Sequence, residues 1–255
     1  ETLERMLESF FSSQPPLPQG ERVFSFGWQG GEPTLMGHEF FRSAFELQRR
    51  LAPPGSQIAN GFQTNGILLN QDWAQLFNEY NVLVGLSIDG PEQIHDTYRV
   101  GLDGSGTHQR VERALQLLRD TGVQFNALVV VGRHNQDRSR EIYEYLKELG
   151  VIHHQYIPLF EFQEDGTPYD FSVTPEGWGQ FLSEVFDLWY PHDTRRVSIR
   201  HFDSVLEFLA LGRYNVCTMG GSCSGHLVIE HNGTIYPCDF FVDPEWELGN
   251  VHDRP

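Results

Sequence analysis

Apolar residues recur at helical spacing from the first residues of the chain. "ETLERMLESFF" puts Leu3, Met6, Leu7, Phe10 and Phe11 on one face and predicts an amphipathic helix. Five apolar runs then alternate with helical stretches: "RVFSFGW", "SQIANGFQTNG", "NVLVGLSIDG", "VQFNALVVVG" and "VIHHQYIPLF". Two of the intervening helices, "RVERALQLLRDTG" and "EIYEYLKELG", run to Gly122 and Gly150, where a left-handed residue closes a helix. Each leads directly into the next strand, so the strands are predicted to be parallel. Such a β/α alternation builds either a barrel or a doubly wound sheet, and the pattern alone does not separate them. In both, ligands sit at the carboxyl ends of the strands, and the polar segments "QGGEPT", "QTNG" and "SIDGP" each follow a strand.

The pattern changes after about Tyr190. "PHDTRR" reads as a loop and "VSIRHFDSVLEFLALGR" as a strand leading into a helix. "LVIEHNGTIYPC" predicts a hairpin in which Asn232-Gly233 supplies positive φ angles. The expected division is residues 1–190 as the β/α region and 191–255 as a connector followed by a cysteine-bearing region. The chain opens on Glu1 rather than Met, with a helix ahead of the first predicted strand, and "LGNVHDRP" closes it without a helix or strand. Both flanks of a longer protein are therefore expected, including at least one further strand upstream.

Composition narrows the partners. At 255 residues with 39% hydrophobic content, the chain can bury one large core, or one domain plus part of another. Its 18 basic against 35 acidic residues give a formal charge of −17, which would repel a phosphate backbone, so no nucleic-acid partner is expected. No segment reaches the roughly 20 apolar residues of a membrane helix and no signal-peptide pattern opens the chain, so a soluble, cytoplasmic protein without a membrane partner is expected.

The chemistry-bearing residues fall in two groups. Gly30 and Gly31 in "WQGGEPTL" form a glycine pair after the first strand, in neither of the phosphate-cradling glycine patterns. Cys217, Cys223 and Cys238, the three cysteines of the chain, follow C-x5-C-x9-G-x4-C. In a reducing compartment they read as buried free thiols, a zinc site or iron–sulfur ligands. Asp239 adjoins Cys238 in "CDFF", which would set a carboxylate beside any bound metal and against two phenylalanines. His153, His154, His201 and Asp203 are weaker candidates for a metal.

Together the segments "WQGGEPTL", "QTNG", "LSIDGP", "IHDTYR", "FDLWY", "VSIRHFD" and C-x5-C-x9-G-x4-CDFF, in this order, resemble radical S-adenosylmethionine (SAM) enzymes with a SPASM auxiliary-cluster domain. Among these, they are most similar to the anaerobic sulfatase-maturating enzymes. The resemblance implies a partial (β/α)6 TIM-like barrel lacking its first strand, followed by the start of a SPASM domain. It implies that Gln29, Gly30, Gly31, Glu32, Ser87 and Arg99 bind SAM, that Gln63 meets the substrate peptide, and that Asp239 is the catalytic base. Side chains at Gly30 or Gly31 would then obstruct SAM.

By the same resemblance Cys217, Cys223 and Cys238 hold part of an auxiliary [4Fe–4S] cluster. The C-x3-C-x2-C motif of the SAM-cleaving cluster does not occur in the chain, so this segment alone is expected to be inactive. The implied reaction oxidises a sulfatase Cys or Ser, in a Cys/Ser-x-Pro/Ala-x-Arg segment, to Cα-formylglycine with electrons exchanged through ferredoxin or flavodoxin. Another SPASM peptide modifier, forming a thioether or a peptide-derived cofactor, and a non-catalytic barrel scaffold are the alternatives.

Overall fold

The helical spacing of Leu3 to Phe11 is realised as α1, Thr2–Ser13, in a computed structural model that describes residues 1–13, 22–221 and 226–253. The five apolar runs are strands β1 (Arg22–Trp28), β2 (Ser56–Thr64), β3 (Leu83–Ser87), β4 (Phe125–Val131) and β5 (His153–Pro158). A short sixth strand, β6 (Ser198–Ile199), comes from "VSIRHFD". Between them lie α2 (His38–Leu51), α3 (Gln71–Glu79), α4 (Glu92–His95), α5 (His108–Thr121), α6 (Ser139–Glu148) and α7 (Pro175–Trp189), with α8 (Arg200–Leu211) after β6.

The sheet order is β1-β2-β3-β4-β5-β6, and the registered pairs from β2 to β6 are all parallel. A doubly wound sheet reverses its strand order at a switch point, whereas this order follows the chain without reversal. Sequential parallel strands with helical crossovers are the winding of a TIM-like barrel wall, which decides between the two sequence readings. Gly122 and Gly150 adopt φ of 72° and 71°, as predicted for helix-closing positions, and the Gly122 N–H bonds back to Arg119 and Leu118 carbonyls.

The chain forms two compact units. The first comprises Glu1–Phe26, Met36–Ala59 and Asn215–Pro255. Its apolar cluster joins Leu7 and Phe11 of α1 to Phe24 of β1, with the Phe11 and Phe24 rings edge-on at 4.9 Å. The same unit carries a three-stranded antiparallel sheet of β7 (Val228–Ile229), β8 (Thr234–Tyr236) and β9 (Gly249–Asn250).

The β7–β8 hairpin forms where the sequence predicts it, with one correction. Gly233 alone takes a positive φ, +89°, since Asn81 is the one non-glycine with positive φ among the described residues. The turn is longer than the two-residue type: Gly233 N donates to Glu230 O and Glu230 N to Thr234 O, the pattern of a type I turn closed by a left-handed glycine. Asn232 serves through its side chain, which accepts from Thr234 N.

The second unit comprises Gly27–Leu35 and Asn60–Tyr214. It buries Phe62 of β2 against Trp73 and Phe77 of α3 at 5.5 and 5.0 Å between ring centres. Val84, Leu86, Val129 and Val131 of the strands are also buried, together with Leu118, Ile142 and Leu146 of the helices. Burial of such side chains, each contributing about 1.5–3 kcal/mol, holds the strand ends in place for the loops that follow them.

Candidate functional site

Three loops at the carboxyl ends of β1, β2 and β3 meet in the second unit. After β1, Gly30 and Gly31 take φ of +90° and +48°, conformations that cost a side-chain-bearing residue about 1–2 kcal/mol. Among the described residues, a Cβ built on either meets no atom within 4 Å apart from its immediate chain neighbours. The glycines are thus required here by backbone conformation, and the other described residues leave the space in front of them open. Glu32 then turns its carboxylate back into the structure. Oε1 accepts from Thr34 N at 3.0 Å, Thr34 Oγ1 at 2.5 Å and Thr64 Oγ1 at 2.8 Å, and Oε2 accepts from Asn65 N at 2.8 Å.

The GGEP and QTNG loops are therefore locked together by one side chain. Gly66 closes the second loop with φ +76°, and a Cβ there would lie 2.5 Å from Leu86 Cδ1, so this glycine is demanded by packing as well. Gln63, the penultimate residue of β2, is exposed and lies in register with Gly85 of β3, where a Cβ would approach Gln63 Cγ to 3.5 Å. Ser87 is the last residue of β3 and is half-buried. Gln29 is exposed directly ahead of the glycine pair.

Arg99 follows α4 and forms a two-point ion pair with Asp89: Nε to Oδ2 at 2.5 Å and Nη2 to Oδ1 at 3.1 Å. Asp89 Oδ1 also accepts Val130 N from β4 at 2.9 Å. Behind this pair His95 is fully buried, and burial brings its pKa down to about 4 against the opposing pull of the Asp89 charge. Asp96 accepts from the N–H groups of Thr107 and His108 at 2.8 and 2.9 Å and so caps the start of α5 from a distance. His134, after β4, rests edge-on against Tyr98 at 4.7 Å, and burial lowers its pKa.

Sequence reading singled out Ser87 and Arg99 here but missed Asp89, His95 and Thr107. The available signal was an acidic residue ending an otherwise apolar run in "LSIDGP", followed by His95 and Asp96 in "IHDTYR". Of the weak metal candidates, His154 and Asp203 have ordinary partners. His154 is buried, with Nδ1 against the Tyr156 hydroxyl and Nε2 against Val151 O, and Asp203 accepts from Ser198 Oγ. No group of three or more potential metal-ligating side chains occurs among the described residues.

The first unit carries the cysteines. Cys217 opens a 3-10 turn and is exposed, Cys238 follows β8 and is half-buried, and neither is in a disulfide. Cys223 lies outside the described residues. Burial first, then the Asp239 carboxylate and the neighbouring Cys217, push the Cys238 thiol up, against the Phe240 N–H. Asp239 Oδ1 accepts from Cys238 Sγ at 3.2 Å. Of the two placements open for Asp239, against the phenylalanines or in a surface turn, the structure shows the second: Asp239 is exposed and Phe240 is 74% exposed. Phe241 instead turns to Trp246, at 4.9 Å, because the 3-10 turn Asp239–Phe241 points successive side chains apart.

The free thiols of Cys217 and Cys238 have the donor chemistry of thiolate ligands to an iron–sulfur cluster. The main chain at Gly30 and Gly31 is unobstructed by other described residues beyond their chain neighbours, and Arg99 carries a carboxylate-matching fork.

Residues 18–146 match the Radical SAM superfamily, and residues 217–255 match the iron-sulfur cluster-binding domain SPASM. The chain belongs to the radical SAM superfamily. It is 43% identical over 235 residues to the cysteine-type anaerobic sulfatase-maturating enzyme of Clostridium perfringens, covering 90% of this chain and 63% of that enzyme. To the serine-type enzyme of Bacteroides thetaiotaomicron it is 37% identical over 269 residues, covering 100% of this chain and 64% of that one.

The chain thus spans a little under two thirds of these relatives. Among solved structures, that of native anSMEcpe with bound AdoMet superposes with a TM-score of 0.89 at 39% identity, covering 99% of this chain and 68% of that one. Streptococcus suis SuiB bound to precursor peptide SuiA, at 15% identity and a TM-score of 0.65, covers 99% and 55% and shares the fold.

Proposed function

We propose that the protein acts as an anaerobic sulfatase-maturating enzyme, oxidising a Cys or Ser of a sulfatase to Cα-formylglycine. The observation that carries this reading is the likeness to the C. perfringens enzyme along 90% of the chain, with the SAM and cluster-binding regions in the same order. SAM bound with its reducing cluster supplies an alkyl radical able to take a hydrogen atom from a peptide Cβ.

In this reading the main chain at Gly30 and Gly31 lies against SAM, with Gln29 beside it. Glu32 keeps that main chain in shape through Thr64 and Asn65. Ser87 and Arg99 hold the polar end of SAM, Arg99 through the guanidinium edge that Asp89 leaves unused. Gln63 meets the peptide. Thiolates of Cys217, Cys223 and Cys238 hold an auxiliary [4Fe–4S] cluster. Asp239 takes the proton from the substrate thiol or hydroxyl; with one hydrogen atom lost to the SAM-derived radical, that proton held by Asp239, and one electron that the auxiliary cluster would accept, the Cβ–S or Cβ–O bond becomes double. A thioaldehyde formed from Cys is hydrolysed to the aldehyde.

The substrate is an extended sulfatase segment of Cys/Ser-x-Pro/Ala-x-Arg type, and a ferredoxin or flavodoxin is the electron partner. No helix among the described residues is long and apolar enough to cross a membrane, and we place the reaction in the cytoplasm. In this assignment residues 1–190 form the main barrel portion and 191–255 the connector and cluster-binding portion, with the connector's β6 added to the barrel sheet. The test uses the full-length protein, reconstituted anaerobically with iron and sulfide and given SAM, a reductant and a Cys-x-Pro-x-Arg peptide. Aldehyde in the peptide by mass spectrometry together with 5′-deoxyadenosine is the expected result. SAM cleavage with an unchanged peptide assigns the chemistry to another peptide, and no cleavage by a cluster-loaded protein overturns the enzymatic reading.

A further inference from the structure

Asp89 and Arg99 are connected by two independent routes. The short one is their two-point ion pair. The long one runs from Asp89 N to His95 Nδ1 at 3.2 Å, from His95 Nε2 to Thr107 Oγ1 at 3.2 Å, and from Thr107 Oγ1 to Arg99 O at 2.8 Å. The two routes close a ring, and its interior members, His95 and Thr107, are 0% and 3% exposed.

Hydrogen-bond polarity fixes every member of the ring. The single Thr107 hydroxyl proton goes to the Arg99 carbonyl, so the hydroxyl oxygen accepts from His95 Nε2–H. Nδ1, lacking a proton, then accepts Asp89 N–H. The imidazole is neutral in this arrangement, and a lysine, arginine or protonated histidine at the same place would set two donors face to face.

For Arg99 the consequence is orientation. Its backbone carbonyl is tied through Thr107 and its Nε and Nη2 are tied to Asp89, itself anchored to β4 through Val130. A guanidinium has five N–H hydrogens, so this pairing leaves the Nη1/Nη2 edge for a second carboxylate. Because Asp89 already neutralises much of the Arg99 charge at close range, what Arg99 offers that second carboxylate is mainly correctly aimed donors, which makes aim matter more than net charge.

We propose that His95 and Thr107 are positioning residues for Arg99, holding its guanidinium at the orientation that receives the SAM carboxylate. This rests on the assignment of Arg99 given above. Neither residue touches SAM in this scheme; both act through the Arg99 main chain and the Asp89 loop.

The test measures binding rather than turnover. The full-length protein, reconstituted with its cluster kept oxidised so that SAM is not consumed, is titrated calorimetrically with SAM and with decarboxylated SAM. Thr107→Val removes the hydroxyl while keeping the shape, and is expected to weaken SAM about tenfold, the equivalent of one hydrogen bond, with the decarboxylated analogue unchanged. Thr107→Ser, which keeps the hydroxyl, restores the difference between the two ligands. His95→Asn keeps an acceptor for Asp89 N–H but loses the Thr107 link, so it gives the same selective loss and serves if Thr107→Val does not fold.

Equal weakening of both ligands, or of neither, overturns the positioning role. Arg99→Lys separates the two layers of the claim. If it too fails to distinguish the ligands, the Arg99 assignment itself is wrong and the positioning role falls with it. If it distinguishes them while Thr107→Val and His95→Asn do not, the positioning role alone falls.

Discussion

Glu32 and Asn65, 33 residues apart, are joined by a hydrogen bond of 2.8 Å from the Asn65 backbone N–H to Glu32 Oε2. Through it, and through the bonds of Oε1 to Thr34 and Thr64, one carboxylate sets the relative position of the loops after β1 and β2. Glu32→Gln replaces one acceptor oxygen by an NH2 group, leaving Asn65 N–H or the two threonine hydroxyls facing a donor. A loss of about 1–3 kcal/mol in unfolding free energy is expected, measured by urea denaturation, with faster amide hydrogen exchange at Asn65. Unchanged exchange at Asn65 would show that the loop is held by something else.

Two glycines at strand ends predict opposite phenotypes. Gly66→Ala drives a methyl to 2.5 Å from Leu86 Cδ1 at a positive φ, so it should lower stability by about 2–4 kcal/mol whatever the ligand. Gly31→Ala meets only the conformational cost, about 1–2 kcal/mol, because no described residue beyond its chain neighbours comes within 4 Å of the added methyl. Its larger effect is expected on SAM affinity, measured by calorimetry on the reconstituted full-length protein. SAM binding unaltered by Gly31→Ala would place the ligand elsewhere.

Asp239 is exposed on a short 3-10 turn, so Asp239→Asn should change stability by no more than about 0.5 kcal/mol. Formylglycine formation is expected to disappear while 5′-deoxyadenosine is still released, both read by mass spectrometry. Retained aldehyde would remove Asp239 from the role of base.

His95 and His154 are buried, and both have folded-state pKa values brought down to about 4, chiefly by burial, from 6.5. The unfolded chain therefore binds protons that the folded chain refuses between these two values. The sign follows: their contribution is complete above about pH 6.5, and is lost as the pH falls through the window towards about 4, by at most about 3 kcal/mol each. Urea unfolding of wild type and His154→Gln at pH 7 and pH 4.5 checks this. The wild type should lose more stability between the two pH values than the variant, and parallel losses would assign the acid sensitivity to carboxylates.

The elements and their order are legible along the chain. Periodicity placed α1 and the five main strands, Gly122 and Gly150 marked helix ends by a conformation few other residues adopt, and the polar segments after Trp28, Phe62 and Leu86 marked the carboxyl ends of the first three strands. These are local consequences of side-chain spacing and backbone sterics, which a linear pattern carries.

The sheet order emerges from folding alone, since barrel and doubly wound sheet share the same β/α alternation and differ in which strands pair. The tertiary structure alone revealed that Glu32 is spent on Thr64 and Asn65, and that Asp89, His95 and Thr107 close a ring on Arg99. It also showed Asp239 exposed on its turn, one of the two placements that the sequence left open. Hydrogen bonds across 32 residues and the exposure of a turn depend on which surfaces come together, and no residue spacing encodes that directly.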